Sequence, residues 1–311
     1  MKKPLMIVAG ATASGKSDAA VALAERLNGE IVSADSMQVY RYMDIGTAKP
    51  TAEEMCGIPH YLVDELLPDA EYSAAIFQQK AKVYIEDIAA RGKTPIVCGG
   101  TGFYINALLY ETDFTETISD AAFREQKLAV AASRGNDFLH KQLQVIDPDA
   151  AAAIHANNVR RVIRALEYHA QTGRRISEHN TEERQRESAY DAQMVVLVRE
   201  RAALYERIER RVDKMLAEGL VAEVEAILAR GYSEKLPSMQ GLGYKEIVRY
   251  INGEYTLEEA VRVLKRDTRH FAKRQFTWFA HQTGSDVKTV QAGESAEKTA
   301  ERIIAALAVH E

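Results

Sequence analysis

Cysteine is scarce in this chain of 311 residues: only Cys56 and Cys98 occur, far apart and with no cysteine or histidine cluster nearby. That excludes a disulfide framework, a CxxC redox motif and a thiolate zinc site, and predicts two reduced, packed thiols. Long apolar runs are lacking as well. Leu5-Met6-Ile7-Val8-Ala9 is too short for the hydrophobic stretch of a signal peptide, and no later run could cross a bilayer, so a soluble cytoplasmic protein is expected. Internal repeats and low-complexity tracts are absent, which removes solenoids and disordered tails. An excess of one charge is absent too: the formal net charge is −5. The chain therefore carries no global mark of a nucleic-acid binder, although a local basic surface is all that binding a polyanion needs. What remains is 46% hydrophobic and 27% charged, the balance of a folded globular protein. The length suits one substantial core with a smaller inserted or appended domain.

The apolar run at residues 5–9 has the pattern of a parallel strand buried on both faces, and a glycine-containing turn leads from it into a helix over residues 16–28. Ile31-Val32-Ser33 repeats the strand pattern before Asp35, Tyr61-Leu62-Val63 before Asp64, and Pro95-Ile96-Val97-Cys98 before Gly99-Gly100-Thr101. A helical period fills residues 74–91. Strands alternating with helices predict a doubly wound α/β core whose ligands lie at the carboxyl ends of the strands, so Asp35, Thr101 and the first loop should share one edge. From about residue 113 to 189 the pattern turns to polar, alanine-rich helices, read as an inserted all-helical domain. Residues 194–198 return as a core strand, and residues 204–230 and 257–281 read as long helices. The core then comprises residues 1–112 and 190–311.

Gly10-Ala11-Thr12-Ala13-Ser14-Gly15-Lys16-Ser17 satisfies GxxxxGK[ST] between a strand and a helix, the context of a P-loop NTPase-like fold. The glycines permit backbone angles that aim successive N–H groups inward, and the helix N-terminus favours an anion. Lys16 supplies a point charge to the phosphates, and the Ser17 hydroxyl is placed to ligate Mg²⁺. The loop alone does not specify ATP. The strand at residues 95–98 ends in Gly-Gly-Thr where a kinase usually carries an acid for the metal, although Asp64 could fill that role.

Read together with Asp35-Ser36-Met37-Gln38-Val39-Tyr40, Asp44-Ile45-Gly46-Thr47-Ala48-Lys49-Pro50, Gly57-Ile58-Pro59-His60, Gly99-Gly100-Thr101-Gly102, Arg161-x-x-Arg164-Ala165-Leu166-Glu167 and Lys273-Arg274-Gln275-x-Thr277-Trp278-Phe279, the loop resembles the tRNA dimethylallyltransferases, also called IPP transferases, over nearly the whole chain. It departs from their usual pattern at Ala11, Tyr61, Phe103 and Arg160, where proline, histidine, leucine and glutamine are common. The resemblance implies transfer of a dimethylallyl group from its diphosphate to N6 of the adenosine 3′ of the tRNA anticodon, with residues 10–17 holding the organic diphosphate. It also implies tRNA contacts at Asp35, Ser36, Met37, Gln38, Thr101, Arg124, Arg160, Arg161, Val162, Ile163 and Arg164. An adenylate dimethylallyltransferase acting on free AMP, ADP or ATP, and a P-loop kinase acting on a small hydroxylated substrate, are the alternative readings.

Such a transfer needs the departing negative charge stabilised, a task for the loop amides, Lys16, Mg²⁺ on Ser17 and the Thr101 hydroxyl. It needs the adenine amine deprotonated, with Asp35 the candidate base, and the base extruded from the anticodon loop. Asp35 could instead be a cap before Ser36, but its place at a strand end and the resemblance favour the base, and the Thr101 hydroxyl can cap the helix that follows it and serve a ligand as well. Arg160 and Arg164 share a helix face, which reads either as a solvated surface or as an RNA contact. Arg262, Arg266, Arg269 and Lys273 align in one stripe on a helix whose Phe271, Trp278 and Phe279 can pack inward. Arg207 and Arg211 read as surface arginines rather than as a lid over the diphosphate. One channel and one anticodon arm make a monomer sufficient.

Overall fold

The computed structural model describes residues 2–114, 120–281 and 287–308. One sheet of parallel strands runs in the order β3-β2-β4-β1-β5-β6, comprising β1 (Lys3–Gly10), β2 (Gly29–Ser33), β3 (His60–Tyr61), β4 (Thr94–Gly99), β5 (Tyr190–Val198) and β6 (Val287–Gln291). β1 lies between β4 and β5, with Ala9 opposite both Gly99 and Val196. Its continuous apolar run follows from that central place, since both faces are covered. Met6, Val8, Ile31 and Ile96 pack on one side against α1 (Lys16–Leu27) and against α13 (Ala296–Leu307). Ile7, Val32 and Val97 alternate with them and are equally buried on the other side, where α2 (Ala74–Ala90), α3 (Gly102–Leu109) and α12 (Leu257–Ala280) lie.

The ends of these helices obey local chemistry. Asn28 closes α1 in a left-handed conformation, φ 49°, and the Ser73 and Thr256 side chains cap α2 and α12 by accepting from Ile76 and Glu259 N–H. Two expectations are corrected. The strand expected at residues 61–63 stops at Tyr61, because Leu62 and Asp64 adopt left-handed angles of 61° and 58° that no strand tolerates. The single helix expected over residues 204–230 is two, α9 (Arg201–Ala217) and α10 (Leu220–Ala229), broken at Gly219 with φ 100°. Together with α11 (Tyr244–Ile251) and α12, these helices build a second core around the fully buried Tyr244.

The chain divides into two compact units, Met1–Leu109 with Ala189–Glu311, and Tyr110–Ser188. It leaves the first unit at Leu109 and returns at Ala189, whose N–H donates to the Leu109 carbonyl over 2.8 Å. The second unit holds only helices among its described residues: α4 (Ala121–Arg134), α5 (Asn136–Ile146), α6 (Pro148–Ala153), α7 (Val159–Thr172) and α8 (Ile176–Gln185). Leu139, Leu143, Val162, Ile163 and Leu166 form its core. No described helix is long and apolar enough to cross a membrane.

Candidate functional site

The phosphate loop begins where β1 ends. Gly10 has φ 151°, and a Cβ there would meet the Leu197 carbonyl at 2.8 Å, so β5 itself demands glycine. Gly15 turns left-handed at φ 92° into α1, whose first N–H groups have no partner within the helix. Ala13 is left-handed too, at φ 62°, which the motif did not foretell. The reason lies on α9 and at the end of β5. Ala13 offers its carbonyl to Arg207 Nε at 2.9 Å, Ser14 offers its own to Arg199 Nε at 2.8 Å, and the Thr12 hydroxyl accepts from Arg211 at 3.0 Å. With the loop carbonyls tied back by guanidinium groups, a cavity of about 300 Å³ opens above them, lined by Ala13, Gly15, Lys16, Ser17, Asp18, Arg207, Arg210, Arg211 and Lys214. Five cations and one carboxylate make it an anion site. Burial holds the Lys16 ammonium below its ordinary pKa, opposed by the nearby Cys98 and Asp35, and burial lowers Arg211 in the same way. An anion bound there would offset the cost of burying these cations. The Ser14 hydroxyl is buried beside Gly10 with no hydrogen-bond partner and does not line this cavity.

Arg207 and Arg211 thus line this cavity and are partly buried, contrary to the reading of them as surface arginines. The signal was present: Leu204, Ile208, Val212 and Met215 are the buried stripe of α9, so residues 207, 211 and 214 form an adjacent cationic stripe beside the core rather than opposite it.

A second cavity, of about 390 Å³, is lined by Asp35, Ser36, Met37, Thr12 and Thr101, and also by Arg211, Thr268, Phe271 and Arg274. Arg211 therefore belongs to both cavities, and a smaller one lined by Lys16, Ser17 and Asp35 together also joins the loop to β2. Asp35 leaves the end of β2 in a turn, not a helix: its Oδ1 accepts from Met37 N–H at 2.8 Å and Gln38 N–H at 3.3 Å. Oδ2 takes no part in that turn. Thr101 accepts from Tyr104 N–H at 2.9 Å and from Ile105 N–H at 3.3 Å through its backbone carbonyl at the start of α3, and the residue lines the second cavity. Gln38 is engaged elsewhere, donating to the carbonyls of Thr47 and Ala48 and accepting from Ser33 Oγ, so it holds the 44–49 loop in place. The same loop is gripped by Glu223, whose carboxylate accepts from the N–H groups of Asp44, Ile45 and Gly46 and from Tyr244 Oη. Asp64 pairs with Lys49 at 2.8 Å and lines none of these cavities, which removes the candidate metal acid of a kinase.

A family model for IPP transferase matches residues 38–282. A tRNA dimethylallyltransferase of Lachnoclostridium phytofermentans is 55% identical over 277 residues, covering 89% of this chain and 88% of the relative. The chain belongs to the IPP transferase family. Among solved structures, a tRNA delta(2)-isopentenylpyrophosphate transferase of Staphylococcus epidermidis aligns over the whole of both chains with a TM-score of 0.72 and 41% identity. A eukaryotic dimethylallyltransferase, described as acting on tRNA, aligns over 94% of this chain and 74% of its own, with a TM-score of 0.79 and 30% identity.

Within this IPP transferase the arginines of the helical unit separate into two kinds. Arg124 donates to Glu167 through two nitrogens at 2.9 and 2.8 Å, and Arg164 approaches the same carboxylate at 3.4 Å. Glu167 is fully buried, and although burial pushes its pKa up, the arginines hold it below the ordinary range. Arg160 and Arg161 are exposed. Val162 and Ile163 lie in the core, so their side chains are removed from any role as RNA contacts by burial itself. Along α12 the expected basic stripe is largely neutralised: Arg262 pairs with Glu259, Arg266 with Asp267 and Arg269 with Glu209. Phe279 packs inward, whereas Phe271 lines the second cavity with the Arg274 guanidinium 5.7 Å from its ring centre. Of the cysteines, Cys98 is buried, its thiol pushed up to about 11 by burial, but Cys56 is exposed rather than packed.

Proposed function

We propose that this chain transfers a dimethylallyl group from dimethylallyl diphosphate to N6 of the adenosine 3′-adjacent to the anticodon of tRNA, releasing diphosphate. The observation that carries the reading is the shared Arg211 wall: an anion cavity on the phosphate loop adjoins a cavity holding Asp35 and Thr101, as a two-substrate transfer requires. The names of the relatives favour tRNA over a free adenine nucleotide as the acceptor.

In the reaction, the exocyclic amine of adenine forms a bond to C1 of the dimethylallyl group while the C1–O bond to diphosphate breaks. Asp35 takes the amine proton on Oδ2, the oxygen not committed to its turn. Lys16, Arg207, Arg211 and the amides opening α1 receive the charge that collects on the leaving group. Thr101 donates its hydroxyl at the boundary between the two substrates. Among the described residues no cluster of three or more His, Cys, Asp or Glu could hold a metal ion. Mg²⁺ would therefore be held by Ser17 Oγ and by oxygens of the diphosphate, with Asp18 lining the same cavity, and would add Lewis-acid stabilisation of the leaving group. Arg160 and Arg161 on α7 supply phosphate contacts to the tRNA, consistent with their exposure. The protein works as a monomer in the cytoplasm.

The test offers the purified protein Mg²⁺ and dimethylallyl diphosphate with unmodified tRNA in one reaction and AMP in another, read by mass spectrometry of the nucleosides. Prenylated adenosine from tRNA alone is expected. Modified AMP alone would move the assignment to an adenylate enzyme, and product from neither would refute it.

A further inference from the structure

We propose that Gln275 is a positioning residue that fixes the distance between the phosphate loop and the Thr101 turn for the transfer step; the inference rests on the function proposed above.

The starting point is the pattern of α12. Ala260, Val263, Leu264, Thr268, Ala272, Gln275 and Phe279 are its buried positions, so Gln275 stands on a stripe that otherwise packs against the core. A buried carboxamide has one acceptor and two donor hydrogens to satisfy, and an isolated one is costly. Gln275 meets that demand across two separate loops. Its Oε1 accepts from Thr12 N–H at 2.8 Å, and its Nε2 donates to the Gly100 carbonyl at 3.0 Å.

Those two loops have no ladder between them. The β1–β4 pairing ends at Ala9 and Gly99, after which the first chain turns into the phosphate loop and the second into α3. The carboxamide of Gln275 takes the place of the next rung, offering an acceptor to one strand extension and a donor to the other. The fit is close, because a Cβ on Gly100 would collide with Nε2. A continuous chain of polar contacts results: Arg211 donates to Thr12 Oγ1, Thr12 N–H donates to Gln275, and Gln275 donates to Gly100, the residue before Thr101. It links the guanidinium that lines both cavities to the turn that carries Thr101 into the second. The Thr12 amide is thereby committed to Gln275, so diphosphate binding relies on the later loop amides and the cations, and Gln275 acts on geometry rather than on affinity.

Glutamine alone supplies this pairing at this length. Glutamate keeps an acceptor for Thr12 but sets a carboxylate against the Gly100 carbonyl, whereas methionine fills the volume and makes neither bond. The experiment compares Gln275→Glu and Gln275→Met with the wild type, in the full chain, by steady-state transfer from dimethylallyl diphosphate to unmodified tRNA and by thermal melting. Both variants should lose about 10- to 100-fold in kcat, the scale on which a misplacement near 1 Å acts, with KM for either substrate changed by less than about threefold. Gln275→Glu, which buries a carboxylate against a carbonyl, should melt below wild type, and whichever variant keeps a cooperative melting transition carries the test. A kcat within about threefold of wild type in either folded variant, or a loss carried by KM alone, would overturn the positioning role. A wild type that modifies no tRNA would instead overturn the proposed function, which keeps the two failures apart.

Discussion

Replacing Asp35 by Asn separates the two tasks that one side chain performs. In the turn after β2, Oδ1 accepts from Met37 and Gln38 N–H, and an asparagine carbonyl can make the same two bonds. The other oxygen becomes an amide that cannot take a proton. The turn should therefore survive and the base should not. Loss of a positioned base removes about 10²–10⁴ in rate, or roughly 3–5 kcal/mol of transition-state stabilisation. Asp35→Ala should add a structural cost of about 1 kcal/mol, the usual scale for losing a side-chain cap of this kind. The assay is single-turnover transfer to tRNA with enzyme in excess, accompanied by melting curves and by equilibrium binding of dimethylallyl diphosphate. Asp35→Asn should melt like wild type and bind the diphosphate nearly as well, yet transfer at least about 100-fold more slowly. A rate within about tenfold of wild type would refute proton abstraction by Asp35 and reduce it to a turn residue.

Glu30, only 1% exposed, is gripped by both terminal nitrogens of Arg91 at 2.6 Å, by Lys93 at 2.7 Å and by Tyr61 Oη at 2.8 Å. Hydrogen bonds from Arg91, working against burial, hold its carboxyl down from 4.5 to about 2. A depressed folded pKa contributes stability that is full above about pH 4.5 and fades as pH falls toward 2, here about 3 kcal/mol at most. Glu30→Gln should therefore melt well below wild type at pH 7 and converge with it near pH 2.5; a gap that stays constant with pH would contradict the linkage. In the helical unit, Arg124→Ala should destabilise by about 1–3 kcal/mol, because Glu167 stays buried with only the longer Arg164 contact, and no melting change would refute that structural role. Arg160→Ala with Arg161→Ala should leave melting unchanged but flatten the log–log salt dependence of tRNA binding by about 1.5 in slope, and an unaltered slope would remove both from the interface.

Much of the fold was legible because its strands carry strong local signals. β1 is central in a parallel sheet, so its apolar run, its terminal glycine and the following GxxxxGK[ST] agree with one another. The failures lie where tertiary contacts outweigh propensity. Leu62 is apolar and fully buried, as a strand residue would be, yet its backbone is left-handed, and its N–H is taken by Glu65 at 2.7 Å. Apolar pattern records burial, and burial alone does not distinguish a strand from a packed turn. The break at Gly219 was visible as a glycine, but the apolar period continues through Met215, Leu220 and Val224, which hid the change of direction.

The site was legible to the extent that its residues sit in loops after strands, where function concentrates. Lys16, Asp35 and Thr101 satisfy that rule. Arg207 and Arg211 do not, for they lie in the middle of a helix, where an arginine is ordinarily solvated. Their meaning depends on which face of α9 is buried and on what lies beside that face, and only the assembled core supplies the second fact. Gln275 belongs to the same class with the opposite signature: a polar residue on an apolar stripe. Periodicity could have flagged it as a buried donor and acceptor needing partners, but not that the partners would be Thr12 and Gly100, the extensions of two neighbouring strands. Catalytic chemistry can thus be read from motifs, whereas the groups that hold it in register emerge from buried polar atoms that must be satisfied, and those require the fold.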